Sequence, residues 1–196
     1  MSTAPAGHDG SELLQAARAW VPEVHPHAVH LLATEDWAAA LDPAAGERLR
    51  LAAVLHDIER AFPDPDAEWD SARDWDNPTY NRWHQDRCAE IAAGWLRDQG
   101  ADEELTEGVA RLIRVHEDGG WPEADVLQAA DSLSFLDTMA WLVIGWVGSG
   151  RSTRERAAAK MQDSLDRIAD DQKQARELAR PMLAQALREV AEAKTP

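Results

Sequence analysis

The chain has 196 residues, of which 44% are hydrophobic and 29% charged, a balance typical of one globular domain and unlike that of a disordered chain. Its formal net charge of −16 disfavours nucleic acid polymers and anionic membranes as partners, because an acidic surface repels polyanions. An anionic substrate would need local compensation from arginines or from a bound cation.

The predicted elements are all helices. Strand-forming aromatic residues are scarce, and neither a convincing strand pattern nor an internal repeat is present. Residues 1–10 are small and polar and predict a frayed tail. Ser11 can cap a first helix over residues 11–21, which Pro22 would end. A second helix is predicted over residues 26–41.

Asp42 is the predicted N-cap of a third helix with Pro43 at its first position, and this helix leads into the doublet His56-Asp57. Residues 62–78 contain three prolines and many aspartates and predict a long loop, which in a compact domain is usually a lid or a binding loop.

Further helices are predicted over residues 79–99, 102–116 and 122–147, and from residue 152 onward. Gly100 is a suitable residue to end the first of these. A glycine-containing break at residues 148–150 precedes the last helix, in which Pro181 predicts a kink or a restart.

Cys88 is the only cysteine, so the chain can form no internal disulfide and no cysteine-based zinc cluster, which fits a reducing compartment. Residues 1–10 lack the pattern of a signal peptide, and the longest apolar run, residues 139–147, is too short to span a bilayer. We therefore expect a soluble cytoplasmic protein with no membrane partner.

Histidines and aspartates recur along successive predicted helices. The series is His30, His56-Asp57, His84, His116 and Asp131. Helical bundles build interior metal sites by projecting such side chains from facing helices, and imidazoles with carboxylates bind Fe, Mn, Ni or Zn. Because a single histidine is more often a satisfied, partly buried residue, it is the ordered series that indicates a metal site.

This series resembles that of the HD phosphohydrolase superfamily. The flanking segments that are also similar are residues 53–58, 84–93, 113–116 and 129–135. The resemblance spans about residues 25–140 and implies an all-α, HD-type helical bundle. We expect one domain over residues 11–196, with the metal site in this span and a C-terminal helical extension at about residues 151–194.

The resemblance also implies the metal ligands. The first ion would be bound by His30, His56, Asp57 and Asp131. Asp57 would bridge to a second ion, and His84 and His116 would complete that second site. One or two divalent transition-metal ions (Fe, Mn, Ni or Zn) are therefore expected, with a binuclear centre favoured.

The activity that the resemblance implies is hydrolysis of a phosphate ester of a small molecule, such as a nucleotide. The nucleophile would be a water whose pKa the metals lower toward neutrality. The Glu-Asp pair of guanosine tetraphosphate hydrolases and the glycine-rich sequence of cyclic-di-GMP hydrolases are both absent. Asp57 and Arg60 are the candidate catalytic residues.

Arg60 lies one helical turn after His56 and can face the same pocket. It could hold a substrate phosphate or form a salt bridge with the adjacent acidic loop, and the sequence leaves both open. Glu59 is expected at the solvated surface rather than in proton transfer. His27 could lie at the rim of the site and contact substrate, although a surface position is slightly favoured.

Arg73 and Arg82 are further candidate contacts for a substrate phosphate, beside a loop that could cover the substrate. The sequence contains nine tryptophans. Most are expected to anchor the core, and some could stack on a ring of the substrate.

Two other functions stay open. Some members of the superfamily use the same ligands for a di-iron centre that oxidises phosphonates or polyols with dioxygen, and the ligand set does not separate the two activities. The third candidate is a non-catalytic scaffold or regulatory protein, against which the complete ligand series argues. The long C-terminal helix offers a packing surface, and the sequence leaves a homodimer open.

Overall fold

The computed structural model describes residues 11–194, and the predicted tail at residues 1–10 lies outside them. This part of the chain forms α-helices, one short 3-10 helix (Ile58–Ala61) and no strand, so the all-α prediction is confirmed. The α-helices are α1 (Glu12–Val24), α2 (Ala28–Leu41), α3 (Glu47–Leu55), α4 (Ser71–Asp74), α5 (Pro78–Asp98), α6 (Glu103–Ile113), α7 (Pro122–Thr138), α8 (Ala140–Gly148), α9 (Arg154–Asp166) and α10 (Lys173–Glu192).

Buried alanines let the helices that carry the site approach one another closely. Ala52 and Ala53 on α3, Ala92 on α5, and Ala129 and Ala130 on α7 are all fully buried. Interaxial distance depends on the size of the side chains at the contact, so these positions bring the backbones together. As a result α7 contacts both α2 and α3, while α3 and α5 both contact α6.

Two prolines lie inside helices that they were expected to interrupt. Pro22 does not end α1 and α10 does not restart at Pro181, so these two predictions were wrong, while the kink at Pro181 stays a prediction. Each proline follows or precedes buried side chains of its own helix, namely Val21 in α1 and Leu183 in α10. Packing of the apolar face outweighs the lost backbone hydrogen bond.

The predicted start of the third helix was also wrong. Asp42 is the C-cap of α2, where its backbone N–H donates to Ala38 O at 3.0 Å. Its carboxylate accepts the backbone N–H of Ala44 at 3.0 Å, which forms a local turn. The third helix, α3, therefore begins later, at Glu47.

Two other predicted helices are shorter than expected. The helix expected over residues 122–147 is divided at Met139, whose backbone N–H donates to Phe135 O at 2.9 Å. The helix expected to reach His116 ends at Ile113, so that His116 lies in the turn that follows. By contrast, the predicted stop before Gly100 is confirmed, since α5 ends at Asp98 and Gly100 has a φ of +81°.

The C-terminal helices pack on the rest of the bundle. Helix α9 contacts α7 and α8, and α10 contacts α7, α8 and α9. Two ion pairs join the segment at residues 62–77 to α9 and to the turn before it, namely Arg156 with Asp76 at 2.6 Å and Arg151 with Asp70 at 2.8 Å. In the described part of the chain no helix combines the length and apolarity needed to cross a membrane.

Candidate metal centre

Four imidazoles form a continuous buried row at the centre of the bundle. His30 and His56 have ring centroids 5.1 Å apart, His56 and His116 are also 5.1 Å apart, and His116 and His84 are 5.2 Å apart. None of the four residues is more than 4% exposed. Four histidines that are far apart in the sequence thus become direct neighbours.

Backbone carbonyls fix the orientation of two of these rings. His56 Nδ1 donates to Ala53 O and His116 Nδ1 donates to Ile113 O, both at 2.8 Å. A carbonyl oxygen can only accept, so Nδ1 carries the proton in each ring. The other nitrogen, Nε2, keeps its lone pair for a metal ion.

Side chains orient the other two rings in the same sense. His30 Nδ1 donates to Ser134 Oγ at 2.9 Å, and the Ser134 hydroxyl in turn donates to the backbone oxygen of His30 at 2.7 Å. His84 Nδ1 donates to Glu59 Oε1 at 3.0 Å. All four rings therefore offer Nε2 to the interior, and His84 differs from the rest in having a carboxylate partner.

Two aspartates lie at opposite ends of the row. Asp131 Oδ1 is 3.2 Å from His30 Nε2 and 3.3 Å from His56 Nε2. Asp57 Oδ1 is 3.2 Å from His84 Nε2. The structure therefore groups Asp131 with His30 and His56, and it groups Asp57 with His84. A bridging role for Asp57 stays a prediction.

Among residues 11–194, three groups of side chains each bring their potential metal-binding atoms within 4.8 Å of one another. They are His30, His56 and Asp131; Asp57, His84 and Cys88; and His84, His116 and Glu117. The sequence series did not include Glu117 or Cys88. Nitrogen and carboxylate donors of this kind fit Fe, Mn, Ni or Zn.

The electrostatics keep both aspartates ionised at neutral pH. Burial alone would raise the pKa of Asp57, but the cationic Arg60 and a hydrogen bond from His84 outweigh burial and hold this pKa well below its usual range. Burial likewise opposes ionisation of Asp131, and the neighbouring His56 and His30 hold its pKa well below the usual range.

The imidazoles differ from one another in basicity. Burial, together with repulsion from His56, lowers the pKa of His116 to about 4, so this ring is neutral at physiological pH. Burial also acts against protonation of His56, but Asp131 raises its pKa above the usual value. For His84, contacts with Cys88 and Asp57 overcome burial and raise the pKa well above the usual value.

The expected surface position of Glu59 was wrong. This residue is 4% exposed, and its Oε1 accepts from His84 and lies 3.0 Å from Arg60 Nη1. Arg60 Nε also lies 3.3 Å from Asp57 Oδ1. The ion pairs of Arg60 in the described chain are therefore with the carboxylates beside it in sequence, and not with the acidic loop.

A cavity of about 120 Å³ opens over the row of imidazoles. His27 and Arg60 line it, as do Ser71 and Trp75 from the segment at residues 62–77. Two other candidates do not reach it. Arg73 has a side chain that is 64% exposed and is paired with Asp74, and Arg82 lies on a separate exposed groove. The structure does not bring Arg73 and Arg82 to the site.

Sequence reasoning missed the contribution of α9 to this cavity. Lys160, Ser164 and Arg167 all line it, and their spacing of four and three residues places them on one face of the helix. That spacing was visible in the sequence. What was not visible is that α9 packs across α7, and only this contact turns a polar helix face toward the histidines.

His25 was also overlooked. It is 5% exposed, and its Nε2 donates to Asp57 O at 3.1 Å. Its Nδ1 accepts the backbone N–H of His27 at 3.0 Å. His25 thus fixes the backbone on which Asp57 is mounted.

The structure is that of an all-α helical bundle with a buried row of histidines and aspartates at its centre. Comparison with known families shows to which of them the chain belongs. The sequence model of the HD domain family matches residues 28–136, which is more than half of the chain. The chain therefore belongs to the HD domain family, whose members are mostly metal-dependent hydrolases. Comparisons with curated proteins and with solved structures found no match.

Proposed function

We propose that this protein is a metal-dependent phosphohydrolase that cleaves a phosphate ester of a small molecule. The observation that carries the proposal is the inward orientation of four buried Nε2 atoms beside two ionised carboxylates in one cavity. HD domains bind divalent metals, and this donor set fits them. His30, His56 and Asp131 would hold one ion, and His84, His116 and Asp57 a second.

A divalent ion at such a site lowers the pKa of a coordinated water toward neutrality and offsets negative charge on a phosphoryl group. In the proposed hydrolysis the water oxygen bonds to phosphorus, the ester P–O bond breaks, and the departing oxygen takes a proton. The chain supplies the alignment. A carboxylate, a hydroxyl and two carbonyl oxygens accept the four Nδ1–H groups, which keeps each protonated nitrogen turned away from the site.

The charge of the cavity supports an anionic substrate. Among the described residues its lining contains three cations (Arg60, Lys160 and Arg167) and three carboxylates (Asp57, Glu117 and Asp131). With neutral histidines these charges cancel. The protein would therefore not balance the positive charge of a bound metal ion, and an anionic phosphate would neutralise that charge. In this way an acidic chain can still bind an anion.

The size of the cavity supports a small substrate. A cavity of 120 Å³ has room for roughly ten water-sized positions. Part of its wall is apolar and is formed by Phe135, Leu142 and Trp146. We infer that a phosphate and a short organic group fit inside, and that a larger substrate would extend through the opening.

The test is release of inorganic phosphate from a panel of phosphomonoesters and phosphodiesters by protein loaded with Mn²⁺, Fe²⁺, Ni²⁺ or Zn²⁺. We expect metal-dependent release that Asp57→Asn abolishes and that Asp66→Asn, a change at an exposed aspartate of the loop, leaves intact. Full activity of Asp57→Asn would overturn the proposed function.

The di-iron oxygenase alternative uses the same ligands, so the panel also includes phosphonates and polyols with the Fe²⁺-loaded protein in an oxygen electrode. Oxygen consumption with one of these substrates, without phosphate release from any ester, would favour the oxygenase. Absence of turnover in both assays, despite bound metal, would favour a scaffold.

A further inference from the structure

Three cations line the cavity, and two of them are already paired. Arg60 lies beside Asp57 and Glu59 at 3.3 and 3.0 Å. Arg167 is hydrogen-bonded to Glu117 and lies 2.7 Å from Asp163. Both guanidinium groups therefore already direct part of their N–H donors to carboxylates of the protein.

The third cation, Lys160, is different. Within residues 11–194 its one ion pair is with Asp163 Oδ2 at 4.0 Å, which is beyond hydrogen-bond distance, and its ammonium makes no hydrogen bond to the protein. Its side chain is only 14% exposed. An ammonium has three donors, and at the wall of the cavity those of Lys160 are available to a bound anion.

Aromatic rings hold this ammonium in place. Lys160 Nζ is 4.8 Å from the centroid of the Phe135 ring and 5.5 Å from that of Trp75, which are cation–π distances. Phe135 is in turn 6.3 Å from the ring of His30. The Lys160 ammonium therefore lies near the proposed metal ligands, and the aromatic rings around it do not replace hydrogen-bond acceptors for its N–H groups.

We propose that Lys160 binds an anionic oxygen of the substrate phosphate and thereby selects phosphomonoesters over phosphodiesters. This rests on the proposed function for the identity of the anion. A phosphomonoester has three non-bridging oxygens and close to two negative charges, so it can reach Lys160 as well as the His/Asp row. A diester has one oxygen fewer to offer. Lys160 lies outside the family match at residues 28–136, so the family pattern does not assign it.

Binding of inorganic phosphate to the Mn²⁺-loaded protein, measured by calorimetry, tests the assignment without turnover. Lys160→Met keeps the aliphatic stem and removes the charge. We expect its dissociation constant for phosphate to rise about tenfold or more, the effect of losing a hydrogen bond to a charged group. Metal content of each variant is measured in parallel and should not change.

Arg156→Met is the matched control. Arg156 also lies over the Trp75 ring, at 5.1 Å, and joins the loop to α9, but it does not line the cavity. We expect its phosphate affinity to stay close to that of the wild type. Equal losses in both variants would mean that Lys160 only fastens the loop, and would overturn the proposal.

Wild-type affinity in Lys160→Met, or no binding of phosphate to the wild type, would also overturn it. The proposed function fails separately. If no phosphate ester is hydrolysed but phosphate binding depends on Lys160, the anion site stands and the hydrolase does not. If esters are hydrolysed but Lys160→Met leaves the ratio of monoester to diester kcat/KM unchanged, only the assignment of Lys160 is refuted.

Discussion

Glu59→Gln removes the single carboxylate that orients a histidine of the row through Nδ1. Glutamine has the same shape and can still accept from His84 Nδ1, which lies 3.0 Å from Glu59 Oε1, so the ring keeps its position and loses a charged partner. Charge-assisted hydrogen bonds are roughly twice as strong as neutral ones, and loss of such outer partners costs about 10–100-fold in metal affinity. That range corresponds to about 1.4–2.8 kcal/mol.

The assay is competition for Zn²⁺ or Mn²⁺ against a fluorescent chelator, with helix content followed by circular dichroism. Glu35→Gln is the matched control, because Glu35 is a fully buried carboxylate paired with Arg18 and Arg50, and it is absent from the cavity lining. We expect the site that includes His84 to lose affinity in Glu59→Gln and no change in Glu35→Gln. Unchanged affinity in Glu59→Gln, or an equal loss in both variants, would refute the reasoning.

Two further predictions concern protons and the turn after His116. Neighbouring carboxylate or thiol groups raise the pKa of His56 and of His84 against the effect of burial, so protons compete with metal ions at these two rings. Metal affinity should therefore rise with pH, by up to about tenfold per pH unit for each ring, until the pH exceeds these raised pKa values. Affinity that is flat between about pH 6 and pH 8 in the same competition assay would contradict this. Gly119→Ala should lower the free energy of unfolding by about 1–3 kcal/mol in a denaturant titration, since Gly119 has a φ of +67° and an added Cβ would lie 2.4 Å from Asp125 Oδ1. Gly94→Ala, in mid-helix with open space around the added Cβ, should instead stabilise by about 0.5–1 kcal/mol, and a loss equal to that of Gly119→Ala would count against the turn geometry.

Local signals predicted much of the fold. Ser11 accepts the backbone N–H group of Leu14, and Gly100 follows α5, as both residue types predicted. The prolines misled because a helix near its end, or one anchored by buried side chains, tolerates a lost hydrogen bond. Local propensity cannot weigh tertiary packing against that loss.

The candidate site was predicted as a set of residue types and not as an arrangement. The ordered series identified the histidines that meet in one row, but the neighbour order His30, His56, His116, His84 depends on helix packing. Glu59 was misplaced because the 3-10 turn after Asp57 redirects its side chain inward, toward His84.

Charge alone was a poor guide to substrate contacts. Arg73 and Arg82 are close in sequence to the loop and to His84, yet both lie away from the cavity. Lys160 reaches the cavity from a helix that begins after the family match ends. Which cation faces the site is set by contacts between helices that are remote in sequence, and these carry no local signal.

Metal content per chain, measured by mass spectrometry on protein purified without chelators, tests the central claim most directly. Wild-type protein should carry about two transition-metal ions, one for each end of the imidazole row, and His56→Ala should lose metal while keeping its helix content. A wild-type chain that stays free of metal after reconstitution with Fe²⁺, Mn²⁺, Ni²⁺ and Zn²⁺ would contradict the claim, and the buried row would then be a structural feature of the bundle.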